Sequence, residues 1–455
     1  MLLFSAPSWL WTSAWHVVCA LFLLVVGGLL PACSVDAVSL ADEENAWDRA
    51  LPAEQNGLER RSFQAASVLA ARFCPGDGGA TALAQGAQLA AAGEAGRRLV
   101  SRSQLIEISI NQGVEVGLAT AENDTFAQQA DVVAGRDALV RVLVDPGDQV
   151  FSGARLTLTQ AGAGAEAAVV LAQEDVRALR RRSTKGDLAS GYYFYVPGSM
   201  LTAATGLRVE VFREGPCELM EPAPDPARIP SEGFLDLSVR EVGPLHMTLV
   251  PIAYHADGSG REPDFSAAHL QELREHLLAL FPVSDVLFRI HDLVHTEQEN
   301  LADILSELIH LRDVESPAAY RSYFGFVNPA ESMDAYCDGS CVAGVSQVGS
   351  ASGVASSGLG VGFRDAARET FLHELGHMHR LGHAPCGSPP DVDERFPDPK
   401  ARLGTWGYDM RSDTLIDPGS AARDFMSYCD PTWISAYNYQ RLIERVSLSN
   451  GLIAR

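Results

Sequence analysis

The sequence predicts two folded parts of different class: an antiparallel β-sandwich first, then an α/β domain built around one histidine-rich helix. Three observations carry this. Short alternating or β-branched runs, punctuated by Gly, Pro and Asp, follow one another from about residue 105 to 215. Beyond about residue 240, strand-like runs alternate with amphipathic helical stretches. Inside that second part, residues 373–383 read HELGHMHRLGH and hold four of the chain's twelve histidines.

Taken in order, residues 17–30 are an uninterrupted apolar run, shorter than the ~20 residues of a spanning helix, and read as the core of an export signal over 1–33. Leu30-Pro31-Ala32-Cys33 resembles a lipobox, with Cys33 as the acylated first residue of a mature lipoprotein, although Pro31 is atypical there and no Lys or Arg precedes the run. Residues 34–104, rich in Ala, Gln and Glu, are expected to be a helical or partly ordered lead-in. Residues 105–220 carry strands at 105–110, 138–144, 154–158, 192–196 and 207–212, at the short spacing of an immunoglobulin-like sandwich. That module has no catalytic cluster and reads as a spacer or a substrate-positioning domain. Residues 221–239, opening on EPAPDPARIPSE, read as a linker. In 240–455, strands are expected at 246–254, 286–293, 323–327, 341–348 and 359–363. Helices are expected at 266–281, with Leu270, Leu273, Leu277 and Leu278 on one face, at 301–311 and at 364–379. The Gly- and Ser-rich stretch 344–360 reads as a mobile rim or a loop.

The histidine run carries the chemistry. His373, Glu374 and His377 form HExxH, and positions i and i+4 share a helix face, so two imidazoles face one ion while Glu374 can reach its water. His383 lies six residues past His377, so the helix must end and the chain turn back for it to join them. Three nitrogens and an open fourth position describe a catalytic zinc site; structural sites are closed by four ligands.

The spacing HExxHxxxxxH resembles that of the metzincin zinc metalloproteases. Downstream, residues 424–429 read DFMSYC, similar to the methionine turn that lies beneath the zinc in that family, with Met426 as its methionine. Tyr428 stands where astacin-like and serralysin-like enzymes carry a tyrosine that approaches the zinc, a candidate fifth ligand or transition-state donor. The stretch from His373 through DFMSYCDPTWISAYNY also resembles bacterial secreted metzincins related to the mucin-cleaving metalloproteases; this likeness is sharp over about the last 130 residues. The resemblance implies a mixed-sheet catalytic domain over 240–455, one catalytic zinc on His373, His377 and His383, and Glu374 as general base. It further implies that strand 341–348 is the sheet edge receiving the substrate chain, and that Trp406 and Tyr408 lie in the interval that builds the primed-side pocket. One departure stands out: the family pattern HExxHxxGxxH has glycine where this chain has Arg380, and Gly382 is the candidate to take over that turn. His379 points off the ligand face and reads as structural or cleft-lining.

Composition fits an exported enzyme. A net charge of −23, from 58 acidic and 35 basic side chains, argues against nucleic acid or an anionic membrane surface as partner. The expected partner is a protein or glycoprotein substrate, with membrane contact only through a lipid anchor, the chain being a monomer, either secreted or held as a cell-surface or outer-membrane lipoprotein. Cys19 and Cys33 apart, six cysteines remain, an even number in an exported chain. Cys337 and Cys341 would close a short loop. By the resemblance, Cys386 and Cys429 both lie beneath the zinc and would pin the site, which leaves Cys74 and Cys217 for each other. No CxxC pair supports a cysteine zinc site, and residues 72–77 match neither metzincin prosegment switch. Aspartates 391, 393, 398, 409, 413 and 417 could hold calcium, but without EF-hand spacing a solvated loop is favoured. A gluzincin using Glu394 as third ligand is disfavoured by His383 and Met426. The competing function is a non-catalytic surface adhesin with a degenerate metzincin domain, for which Arg380 speaks.

Overall fold

The computed structural model describes residues 73–75, 95–123, 130–160, 168–337, 341–350, 353 and 356–453. The export signal expected at 1–33, with Cys33, and most of the 34–104 lead-in lie outside them. The first part consists of two antiparallel sheets. One joins β1 (Ala95–Leu99), β6 (Gly153–Gln160), β7 (Ala168–Asp175) and β9 (Thr205–Pro216) in the order β1-β9-β6-β7. The other joins β2 (Leu105–Asn111), β3 (Glu115–Ala119), β5 (Ala138–Val144) and β8 (Tyr192–Val196) in the order β3-β2-β5-β8, and β4 (Val132–Val133) forms a short parallel ladder with β12 (Val239–Arg240). Side chains alternate across a strand, so Leu156, Leu158 and Val209 of one sheet meet Ile108, Ile110, Val140 and Phe194 of the other in one buried core. Each such side chain contributes about 1.5–3 kcal/mol by leaving water.

Two expectations are corrected here. Ala95–Leu99, within the stretch read as helical, is a strand whose Arg97 pairs with Glu174 of β7 and Glu214 of β9. The proline-rich 221–239 is no linker: β10 (Arg228–Ile229) and β11 (Leu235–Asp236) pair along the edge of β9, and Ala227, Ile229 and Leu237 are buried. Proline breaks the periodicity of this stretch but leaves enough free N–H groups for two-residue ladders.

In the second part, β13 (Leu245–Tyr254), β14 (Val286–Ile290), β16 (Ser322–Val327) and β18 (Ser357–Val361) run parallel, and β17 (Gly344–Ser346) closes one edge antiparallel to β18. The order is β14-β13-β16-β18-β17, with β15 (Val294–Thr296) pairing parallel to the end of β13. Helix α1 (Ala267–Leu280) starts on Ser266, whose side chain accepts from His269 N–H, and α2 (Leu301–Glu315) starts on Asn300 in the same way. Ile304 and Leu308 of α2 pack on Ile252, Tyr323 and Leu359 in a cluster separate from the one that takes Leu273 and Leu277 of α1 and Phe371 and Leu375 of α3 (Ala367–Met378). Helix α4 (Ala436–Ser449) ends the domain.

The turn between β2 and β3 docks the first part on the second. Gly113 O accepts from Trp433 Nε1 at 2.8 Å, and Gln112 O accepts from the Tyr439 hydroxyl at 3.0 Å. Gly113, at φ +106°, lies so close that a Cβ there would sit 2.8 Å from Ala279 O. Arg136 donates to Ala279 O and Phe281 O at the C-terminal end of α1, where helix carbonyls lack partners of their own.

Candidate metal centre

Helix α3 carries His373, Glu374 and His377, and it lies unusually close to the sheet edge. A Cβ on Gly344 would meet Glu374 Cγ at 2.6 Å, and a Cβ on Gly358 would meet Met378 Sδ at 2.8 Å. The glycines read as a mobile rim are therefore what lets the helix approach β17 and β18. The helix then stops in a hydrogen-bonded cap: Arg380 N–H donates to His377 O at 2.8 Å and Leu381 N–H to Gly376 O at 2.9 Å. The residue at the turn needs a left-handed backbone, and Arg380 itself adopts it at φ +63°. Gly382 does not take over the turn, contrary to expectation.

That turn brings His383 back to the helix, and one coordinating atom from each of His373, His377 and His383 lies within 4.8 Å of the others. Backbone carbonyls accept from every Nδ1: Phe425 O from His373 at 3.1 Å, Leu381 O from His377 at 3.0 Å, and Pro390 O from His383 at 2.6 Å. A carbonyl only accepts, so each Nδ1 carries its proton and each Nε2 presents a lone pair. The Nε2 atoms of His377 and His383 consequently face each other at 3.1 Å, two lone pairs with no proton between them. A shared cation removes that repulsion, and roughly 3.3 Å is the nitrogen separation of a tetrahedral zinc with Zn–N bonds of about 2.05 Å. Burial holds His373 down at about 3 and His377 at about 4, so both stay neutral donors. The residues fit a zinc ion, and these three form the only such group among the described residues.

Glu374 is 7% exposed, and burial pushes its carboxyl up to about 7, with the hydroxyl of Ser346 partly offsetting this by donating to Oε2 at 2.8 Å. Sequence reading missed Ser346; its only signal was a place on the expected edge strand. Met426 is fully buried against Gly376, on the helix between the two histidines. The turn that carries it is held by Asp424, whose buried carboxylate accepts from Met426 N–H, Ser435 N–H and Asn438 Nδ2. Tyr428 is 54% exposed, with its hydroxyl 3.4 Å from His383 Nε2. Burial and the nearby Glu374 raise its pKa, which keeps the phenol protonated as a donor. The disulfide Cys386–Cys429 ties the third-histidine loop to the methionine turn; Cys74–Cys217 and Cys337–Cys341 also form.

Other expected site residues lie elsewhere. Trp406 and Tyr408 face the sandwich: Trp406 O accepts from Glu115 N–H, and the buried Tyr408 hydroxyl donates to Asp413. The Tyr408 hydroxyl also lies 3.2 Å from that of Tyr195 on β8, and a Cβ on Gly186 would meet the Trp406 ring at 3.3 Å, so the sandwich gives these side chains surface to bury against. Asp393 is bound by Arg441, Asp398 by Arg402 and Asp409 by Arg411, which disperses the aspartates weighed for calcium. Spare His379 is buried, its Nδ1 donating to Leu375 O, and plays a packing role.

A family profile described as Peptidase M66 matches residues 301–445, from α2 into α4 and across all three histidines. The match supports a protease of a zinc metallopeptidase family, and together with the histidine trio it supports a bound metal ion. No curated protein matches the chain.

Proposed function

We propose that this protein is an exported zinc-dependent endopeptidase of metzincin type that cuts extracellular proteins or glycoproteins, and that its sandwich is immunoglobulin-like. The observation that carries the catalytic reading is the set of three imidazoles with every Nδ1 proton given to a backbone carbonyl, which aims every Nε2 lone pair at one point. Arg380, the residue that spoke for a degenerate site, makes the turn itself, which favours catalysis over a purely adhesive role.

When bound, zinc supplies Lewis acidity, which polarises a carbonyl and makes water a stronger acid. Glu374, with burial and the Ser346 hydroxyl fixing its carboxylate, takes the proton of the attacking water and hands it to the leaving amine. Tyr428 donates its phenolic proton in a hydrogen bond to the oxygen that becomes negative in the transition state. The outer edge of β17, antiparallel to β18 and next to Glu374, receives an extended substrate segment as an added strand. An export signal ending at Cys33 delivers the enzyme to the cell surface or outside it.

Purified protein is to be incubated with casein and with a mucin-type glycoprotein, with and without a chelator, beside Glu374→Ala, and its metal content measured. One zinc per chain, chelator-sensitive cleavage and an inactive Glu374→Ala are expected. Undiminished cleavage by that variant would refute the mechanism.

A further inference from the structure

Along the chain that follows His383 lies a cleft of about 430 Å³, floored by residues 385–389 and walled by Pro399, Lys400 and Arg423. Its floor is the chain that leaves the third histidine, and three links fix it there. Ala384 N–H donates to Met426 O, Tyr428 N–H donates to Cys386 O, and Cys386 is bonded to Cys429. Gly387 lies against Tyr428 so tightly that a Cβ would sit 2.6 Å from the tyrosine's own. Tyr428 thus meets the cleft floor at its Cβ and the third histidine at its hydroxyl, 3.4 Å from His383 Nε2, which links the cleft to the histidine trio.

Charge makes this cleft unusual. The chain carries −23 overall, and other cations in the interval between His383 and Met426 are paired: Arg395 with Asp393, Arg402 with Asp398, Arg411 with Asp409. Lys400 and Arg423 line the cleft without a carboxylate partner among the described residues, and no acidic side chain lines it with them. Arg423 turns Nη1 to the carbonyls of Ser420 and Ala422, which leaves donors on Nε and Nη2. The chain has two lysines, Lys185 and Lys400. Lys185 is committed to Glu107 and Glu115. Two uncompensated cations in an acidic protein attract a negative group, and they do so most strongly at a concave site.

We propose that this cleft is a specificity subsite for a substrate carboxylate, either an Asp or Glu side chain near the cut bond or a sialic acid on an attached glycan, with Lys400 and Arg423 as its recognition residues. The inference rests on the peptidase reading above. The test uses peptide pairs with Glu or Gln scanned across the positions flanking the cleaved bond, and a mucin-type glycoprotein before and after sialidase. Wild type is compared with the Lys400→Glu/Arg423→Glu double variant and with Lys400→Gln, a milder change at an exposed side chain. Wild type should favour the acidic member of a pair roughly tenfold in kcat/KM, the scale of two partly exposed ion pairs. Lys400→Gln should narrow that ratio and the double reversal should invert it. A preference among peptides assigns the amino-acid source, and one confined to the sialylated glycoprotein assigns the glycan; either supports the subsite. Equal wild-type rates on both members of every peptide pair and on the glycoprotein before and after sialidase, or a ratio unchanged in folded Lys400→Gln, overturns it. Failure of the peptidase reading looks different: no substrate is cut, or Glu374→Ala cuts as well as wild type.

Discussion

Replacing Gly376 by alanine sets two effects of opposite sign against each other. In an open helix the change stabilises by about 1 kcal/mol, because alanine restricts the unfolded chain and suits the helix. Here the new Cβ would sit 2.2 Å from Met426 Sδ, 3.1 Å from Phe425 Cε2 and 3.2 Å from Met426 Cε. Met426 is fully buried and its backbone is pinned by Asp424, so it has little room to yield. Overpacking of this kind costs about 1–3 kcal/mol, and with a contact this short against a pinned neighbour it offsets the propensity gain and leaves a net loss of up to about 2 kcal/mol. Phe425 O, which accepts from His373, would move with its neighbour, so metal affinity should fall as well. Denaturant unfolding of Gly376→Ala, Met426→Ala and the double variant measures this as a cycle. Met426→Ala alone should cost about 2–5 kcal/mol, and the double variant should recover at least about 1 kcal/mol relative to the sum of the singles. A stabilised Gly376→Ala, or strict additivity, would refute the packing argument.

Arg380→Gly should stabilise the protein by about 1 kcal/mol in thermal unfolding, since glycine adopts φ +63° without the Cβ penalty; a loss would mean that the Arg380 side chain carries more than the turn. Removing the Cys386–Cys429 bridge by double serine substitution should cost about 4 kcal/mol, from a loop of 43 residues, and an unchanged melting temperature would rule that out. His276 is buried on α1, and burial followed by Arg411 and Arg368 depresses its pKa from 6.5 to about 3, against a smaller opposing pull from Asp409. Because the folded value lies below the unfolded one, the stability this neutral histidine confers is whole above pH 6.5 and is lost as pH falls toward 3. At pH 5 the loss is about 2 kcal/mol, so the stability gap between wild type and His276→Gln should shrink by that amount from pH 7 to 5. Equal gaps at both pH values would show that the imidazole is not held neutral by burial.

What could be read from the chain was whatever local periodicity encodes. The i, i+4 histidines, the leucine face of α1, and the valine-rich β5 announce themselves within a dozen residues. Strands set by distant partners did not. β1 reads AGRRL and takes its place because Arg97 meets carboxylates 77 and 117 residues away. β7 ends in Gln-Glu-Asp, and its Glu174 is held by Arg97 and Arg155 from two other strands. The 221–239 segment looked like a tether because its ladders are two residues long, below the length at which alternation is visible. At the site the same limit applies: the histidine ligands follow a spacing rule, whereas Ser346 reaches Glu374 across a sheet edge. Trp406 and Tyr408 were misplaced because order along the chain does not say which neighbour an aromatic ring will bury against.

The docking turn at Gly113 has a consequence for how this protein survives among other proteases. A C-terminal half cut free would bare Trp433, Tyr408 and Tyr439 and would uncap the last carbonyls of α1. A nick between the halves is therefore expected to leave both pieces clasped together, eluting as one particle until a denaturant pulls them apart.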